Sequence, residues 1–100
     1  MNEEIIQWIS HFKGAIKTFT EGCCYWFAFL LKERYGGKIW YDQVVGHFVC
    51  QIDGVFYDVT GIYIPENMSW MSEWEDLQKK EPGYAARIKR DCIDFERKED

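Results

Sequence analysis

Proline and glycine are scarce in this chain of 100 residues, at two and eight. That scarcity excludes a collagen-like repeat and argues against low-complexity disorder. Basic clusters are missing too: no Lys/Arg group stands apart from acidic neighbours, and the formal net charge is −5. A nucleic-acid partner requires a basic footprint to neutralise phosphates, so that class is set aside. The longest uninterrupted apolar run, Cys23 to Leu31, is too short to span a bilayer. The opening Met-Asn-Glu-Glu is acidic where a signal peptide is basic, and no cleavage pattern follows. The expectation is a cytoplasmic chain with reduced cysteines and no membrane partner. Its four cysteines lack regular spacing, and Cys23 and Cys24 are adjacent, which argues against a disulfide framework.

What the chain does have is apolar bulk. Hydrophobic residues make up 47% and aromatic residues 18%, with five Trp, six Tyr and seven Phe. Aromatic side chains carry the most burial per residue, so a core can form at this length. Residues 1–100 are expected to be a single domain, without repeats or linkers.

Helical spacing of Ile5, Ile9, Phe12 and Ile16 predicts a helix over 3–17, with Asn2 as cap and Glu3 and Glu4 at the positive end of its dipole. A second helix is expected from Gly22 to Tyr35, after Thr20 as cap. Its first part is apolar on every side, so burial all round is expected. Lys32 and Arg34 suit its C-terminal end, and Gly36-Gly37 its stop. Residues 38–41 read as a short strand and 42–46 as a loop. Then come two β-prone runs, His47 to Ile52 and Val55 to Thr60, joined by Asp53-Gly54. Asp-Gly between such runs favours a type I′ turn, which requires positive φ at both central residues. With a two-residue loop, Ile52 lies opposite Val55 and Val49 opposite Asp58. His47 and Asp58 then share a sheet face as diagonal neighbours. Ile62-Tyr63-Ile64 extends the sheet, with Pro65 confining it to an edge. Residues 69–80 read as a helix with Trp70, Trp74 and Leu77 on one stripe and Ser69 or Ser72 as cap. Pro82 opens a last helix carrying Tyr84, Ile88, Cys92 and Phe95 inward. The fold class is α+β: a buried nucleophile helix packed on a small antiparallel sheet (hairpin 47–60), flanked by N- and C-terminal helices. The hairpin face with Phe48, Cys50, Ile52, Val55, Tyr57 and Val59 is the more apolar. Both faces are expected to be covered, one by the cysteine helix and the other by terminal helices.

Thiol catalysis uses a cysteine that is partly thiolate near neutral pH. A helix N-terminus supplies positive potential, an adjacent His a base or imidazolium partner, and a carboxylate behind it the useful tautomer. Cys23 and Cys24 open a helix, His47 begins a strand and Asp58 lies on the next.

At these residues the chain resembles a known group. The run Gly22-Cys23-Cys24-Tyr25-Trp26-Phe27-Ala28 is similar to the Gly-x-Cys-x-x-x-Ala opening of the nucleophile helix in transglutaminase-like proteins. The stretch from His47 to Gly61 resembles that superfamily's hairpin, where the catalytic His opens one strand and the catalytic Asp lies late in the next. The resemblance implies Cys24 as nucleophile, His47 as base and Asp58 as orienting residue, within a papain-like or transglutaminase-like core. It covers about forty residues. The implied function is a minimal cysteine-dependent hydrolase or acyltransferase acting on an amide or related acyl bond of a peptide or protein substrate. No cofactor and no metal are implied. The side chain that papain-like enzymes use to stabilise the oxyanion has no clear counterpart: Thr18 stands in its place, and Gln7 lies further upstream.

Other readings stand beside this one. Cys24 could be core packing, His47 a strand-end histidine bonded to backbone, and Asp58 the cap of a turn at Thr60-Gly61. Cys50 and Cys92 read as core, and His11 as surface. A catalytically inactive member of the same fold would act as a protein-binding module, using Trp40, Tyr63 or Trp70. A zinc site from Cys23, Cys24, His47 and Cys50 is disfavoured, since His47 and Cys50 differ by three along a strand and point to opposite faces.

Overall fold

The computed structural model describes residues 2–12, 14 and 24–94. Helix α1 spans Asn2–Ser10 and α2 Cys24–Tyr35, followed by strands β1 (Lys38–Asp42), β2 (His47–Ile52), β3 (Val55–Asp58) and β4 (Gly61–Tyr63). A 3₁₀ turn at Met68–Trp70 leads into β5 (Met71–Glu73), α3 (Trp74–Lys80) and α4 (Pro82–Ile88), which continues as a π-helical turn over Lys89–Asp94. Among the described residues the result is an α+β arrangement of four helices and one antiparallel five-stranded sheet, in the order β4-β3-β2-β1-β5. No helix of the described residues is long and apolar enough to cross a membrane.

The first helix is shorter than its periodicity predicts. Asn2 lies inside it rather than capping it, and Ile5 and Ile9 are buried. It ends because the His11 and Phe12 amides donate to the carbonyls of Trp8 and Ile9, three residues back, at 3.1 and 2.9 Å. Bonds of that span tighten the last turn to 3₁₀ geometry and close the helix. Ile16 lies outside the described residues, as do Thr18, Thr20, Gly22 and Cys23.

In α2, Cys24, Phe27, Ala28 and Leu31 are buried, the stripe at positions i, i+3, i+4 and i+7 of a helix lying on a sheet. The expectation of burial on every side is corrected: Leu30 is 43% exposed. Tyr25, Trp26 and Phe29 are half-buried and contact one another, with ring centroids 5.1 to 6.5 Å apart. Aromatic–aromatic contact thus covers part of the helix surface beside the core. The helix stops at Gly36, whose positive φ of 80° lets its amide turn back onto the Lys32 carbonyl at 2.8 Å.

The strands follow the turn chemistry. Asp53 and Gly54 take φ of 51° and 81°, as a type I′ turn requires. The register is Ile52↔Val55, Gln51↔Phe56 and Cys50↔Tyr57. The second run is shorter than expected, because the chain reverses again after Asp58 and pairs Asp58 with Gly61. Larger is the correction at 69–80. Residues Met71–Glu73 form an edge strand, paired Asp42↔Met71, Tyr41↔Ser72 and Trp40↔Glu73, and the helix begins only at Trp74. Its cap is the Glu73 carboxylate, accepting the Glu75 amide at 2.6 Å, not Ser69 or Ser72. Pairing with the free edge of β1 satisfies backbone groups that a helical start would leave to water, and tertiary context overrides the local pattern.

One face of the sheet carries Ile39, Tyr41, Phe48, Cys50, Ile52 and Tyr57, and against it pack residues of all four helices, from Ile5 and Ile9 to Leu31, Trp74, Leu77 and Ile88. The expected division, with terminal helices on the second face, is therefore corrected. That face holds a smaller cluster of Val49, Phe56 and Met71, flanked by Trp40 and Tyr63, to which no described helix contributes. Helix α2 runs alongside β2 in the same direction. Tyr25 meets Phe48 edge-on at 5.2 Å near the start, and the Gly36 carbonyl faces the Cys50 sulfur at 3.9 Å near the end. The N-terminus of α2 thereby comes level with the first residue of β2, His47.

Candidate active site

His47 and Asp58 come from strand ends and meet on the second sheet face. Imidazole Nε2 lies 2.9 Å from Asp58 Oδ2, with side chains 12% and 8% exposed. The other carboxylate oxygen, Oδ1, accepts the Thr60 amide at 2.8 Å and the Thr60 hydroxyl. One carboxylate oxygen thus bonds the imidazole and the other caps the turn at Thr60. Burial alone would push its acidity toward the neutral form, but the His47 and Thr60 hydrogen bonds outweigh that and lower its pKa below the ordinary value.

The third member is Cys24, buried at the first turn of α2. It lies near enough to the His47 side chain to act on the imidazole's charge. Burial disfavours the charged imidazole, yet Asp58 and Cys24 prevail and raise its pKa to about 9. The ring is therefore an imidazolium at neutral pH, bonded to the Asp58 carboxylate and near Cys24. Such a cation stabilises a thiolate, and the N-terminus of a helix adds positive potential.

The remaining cysteine with a described side chain differs. Cys50 is wholly buried on the opposite face, and burial pushes its thiol up to about 12, with Lys32 pulling weakly the other way. It is core, as its position on the strand implied. Cys23 and the side chain of Cys92 lie outside the described residues, and His11 is exposed. Gln7 projects from α1 into a shallow groove with Glu3, Ile6, Ser10 and Ile62, and the groove includes none of the three site residues. Of the aromatics considered for partner binding, Trp70 is 51% exposed, while Trp40 and Tyr63 are half-buried.

Two residues beside the site escaped the sequence reading. Asp42, only 1% exposed, ends β1 directly opposite His47. Tyr63, on β4, donates its hydroxyl to Asp42 Oδ2 at 2.6 Å, and its ring centroid lies 5.4 Å from that of His47. The available signal was period-two alternation, which puts Asp42 on the His47 face once β1 is carried to residue 42.

A family model described as Phage YunG-like protein matches residues 3–93, nearly the whole chain, which therefore belongs to that family. No curated protein and no solved structure matches it.

Proposed function

We propose that this member of the Phage YunG-like family is a minimal cysteine-dependent hydrolase or acyltransferase with a papain-like or transglutaminase-like core. The observation that carries the reading is the His47 imidazole bonded to Asp58, with Cys24 near it at a helix N-terminus. In this mechanism the Cys24 thiolate attacks the carbonyl carbon of an amide or related acyl group. The oxyanion forms near the amides that open α2, which lack intrahelical partners and can donate to it. His47 passes its proton to the leaving amine as the C–N bond breaks, leaving an acyl group on sulfur as a thioester. A water or an incoming amine then attacks, giving its proton to His47 as base; the C–S bond breaks and the thiolate–imidazolium pair is restored. Asp58 holds the ring in place throughout and offsets its charge. A peptide or protein is the substrate class such chemistry fits, and a reducing compartment such as the cytoplasm keeps the thiol free.

Incubation with a small activated ester tests the proposal. Mass spectrometry is expected to find one acyl group on Cys24 that hydroxylamine removes, and none on the Cys24→Ser variant. Absence of an acylated intermediate together with slow, His47-independent thiol chemistry would favour the second reading, a binding module on the same fold. Exposed Ile64, Met68 and Trp70, close together in sequence, are what support that alternative.

A further inference from the structure

We propose that Tyr63, tethered to Asp42, is a positioning residue for His47: its ring fixes the imidazole plane so that Asp58 and Cys24 are engaged together. The inference rests on the thiol-site reading of Cys24, His47 and Asp58.

The geometry behind it is a side chain laid across the sheet. Tyr63 stands on β4, paired with Phe56 of β3, whereas Asp42 stands on β1, two strands beyond β3. To place its hydroxyl on Asp42 Oδ2 at 2.6 Å, the phenol must pass over β3 and β2. The residue that opens β2 on that face is His47, and the two rings lie 5.4 Å apart at 49°. Asp42 in turn is anchored from its other oxygen, Oδ1, which accepts the Val44 amide at 2.9 Å. A buried carboxyl group is costly unless both oxygens are satisfied, and here both are. Burial and the bond to Asp42 raise the Tyr63 pKa, so the phenol stays neutral and remains a donor.

An imidazole on a single-bonded stem turns freely about two torsions, and one hydrogen bond to Asp58 leaves the ring plane loosely defined. A second ring packed against it at a tilt restricts that freedom. The titratable groups around His47 are then Asp58 on β3, Cys24 on α2, Asp42 on β1 and Tyr63 on β4.

Tyr63 could also merely pin the edge strand β4 to β1, and the sign of a pKa change separates the two roles. Added exposure alone raises the His47 pKa, because burial opposes the charged ring; misorientation lowers it, because Asp58 and Cys24 are lost. The experiment follows the His47 ring signals by NMR, with exposed His11 as internal control, and the pH profile of Cys24 alkylation by iodoacetamide. For Tyr63→Leu the His47 pKa is expected to fall by about one unit or more, with Cys24 alkylation at pH ~6.5 slowed about tenfold. Tyr63→Phe, which keeps the ring, should restore most of both. A folded Tyr63→Leu protein whose His47 pKa is unchanged or raised overturns the inference. Should that variant not fold, Asp42→Asn replaces it: alkylation is expected to slow about threefold once the tether is weakened, and a wild-type profile overturns the inference. If instead the wild-type profile is indifferent to His47→Ala, the thiol-site reading fails, and the His47 pKa alone then decides the role of Tyr63.

Discussion

His47 opens β2 and Asp58 closes β3, and their side chains meet at 2.9 Å across a hairpin with a two-residue loop. The contact depends on register. Shifting one strand by a single residue would send the imidazole and the carboxylate to opposite faces. Asp53 and Gly54, by accepting positive φ together, are what hold that register.

Replacing Asp58 by Asn tests the electrostatic half of this pair. Asn keeps an oxygen for the Thr60 amide and removes the charge beside the imidazole. The His47 pKa, about 9 in the native site, is expected to fall toward the ordinary 6.5 when followed by NMR. Asp58→Ala should cost more, about 3 kcal/mol or above in urea unfolding, because it leaves a buried cation unpaired and a turn uncapped. An unchanged titration in Asp58→Asn would remove Asp58 from the site.

Thiol reactivity should separate the cysteines. Limited iodoacetamide at pH ~6.5 is expected to modify Cys24, beside the imidazolium, well before Cys50. Cys50, raised to about 12 and wholly buried, should react only on unfolding. His47→Ala should abolish the preference, and peptide mapping by mass spectrometry reads the order directly. Equal labelling of Cys24 in the folded and denatured protein would count against an activated thiol.

Stability should depend on pH from both members of the pair, with opposite signs. The His47 pKa is raised by folding, so its contribution is complete below about pH 6.5 and is lost as pH rises through about 9. A difference of that size is worth at most about 3 kcal/mol. The Asp58 pKa is lowered, so its contribution is present above the ordinary value of 3.8 and disappears as pH falls below it. Urea midpoints are expected to peak between these limits, and His47→Ala should flatten the alkaline side. A native protein that gains stability from pH 7 to 9 would contradict the assignment.

The junction from α2 to β1 offers a test of the fold alone. Gly36 and Gly37 both have positive φ, 80° and 89°. A Cβ at Gly36 meets open space, whereas at Gly37 it would fall 2.2 Å from the Gln51 carbonyl oxygen. Gly36→Ala is therefore expected to cost only the backbone strain, about 1–2 kcal/mol. Gly37→Ala must also move β2, and should lower the urea midpoint further. Equal losses would show that the close approach of Gly37 to β2 is relaxed in solution.

The parts of this protein that could be read from residue order are those governed by neighbours along the chain. The glycine stop after Tyr35, the Asp53-Gly54 turn, and the shared face of His47 and Asp58 each follow from local φ preferences or from the period of a strand. Cys24 at a helix start belongs with them. Residues 69–73 do not: their aromatic spacing suits a helix, and they became a 3₁₀ turn and a strand because β1 had a free edge to pair. Nor could periodicity say that the four described helices share one sheet face, since it identifies which side of an element is apolar but not which partner covers it. Asp42 and Tyr63 were illegible for the same reason. Alternation puts each on a face, but only the strand order β4-β3-β2-β1 stretches a tyrosine over His47 to reach an aspartate 21 residues away. Contacts at that separation depend on how strands are ordered in space, and backbone pairing and core packing set that order together.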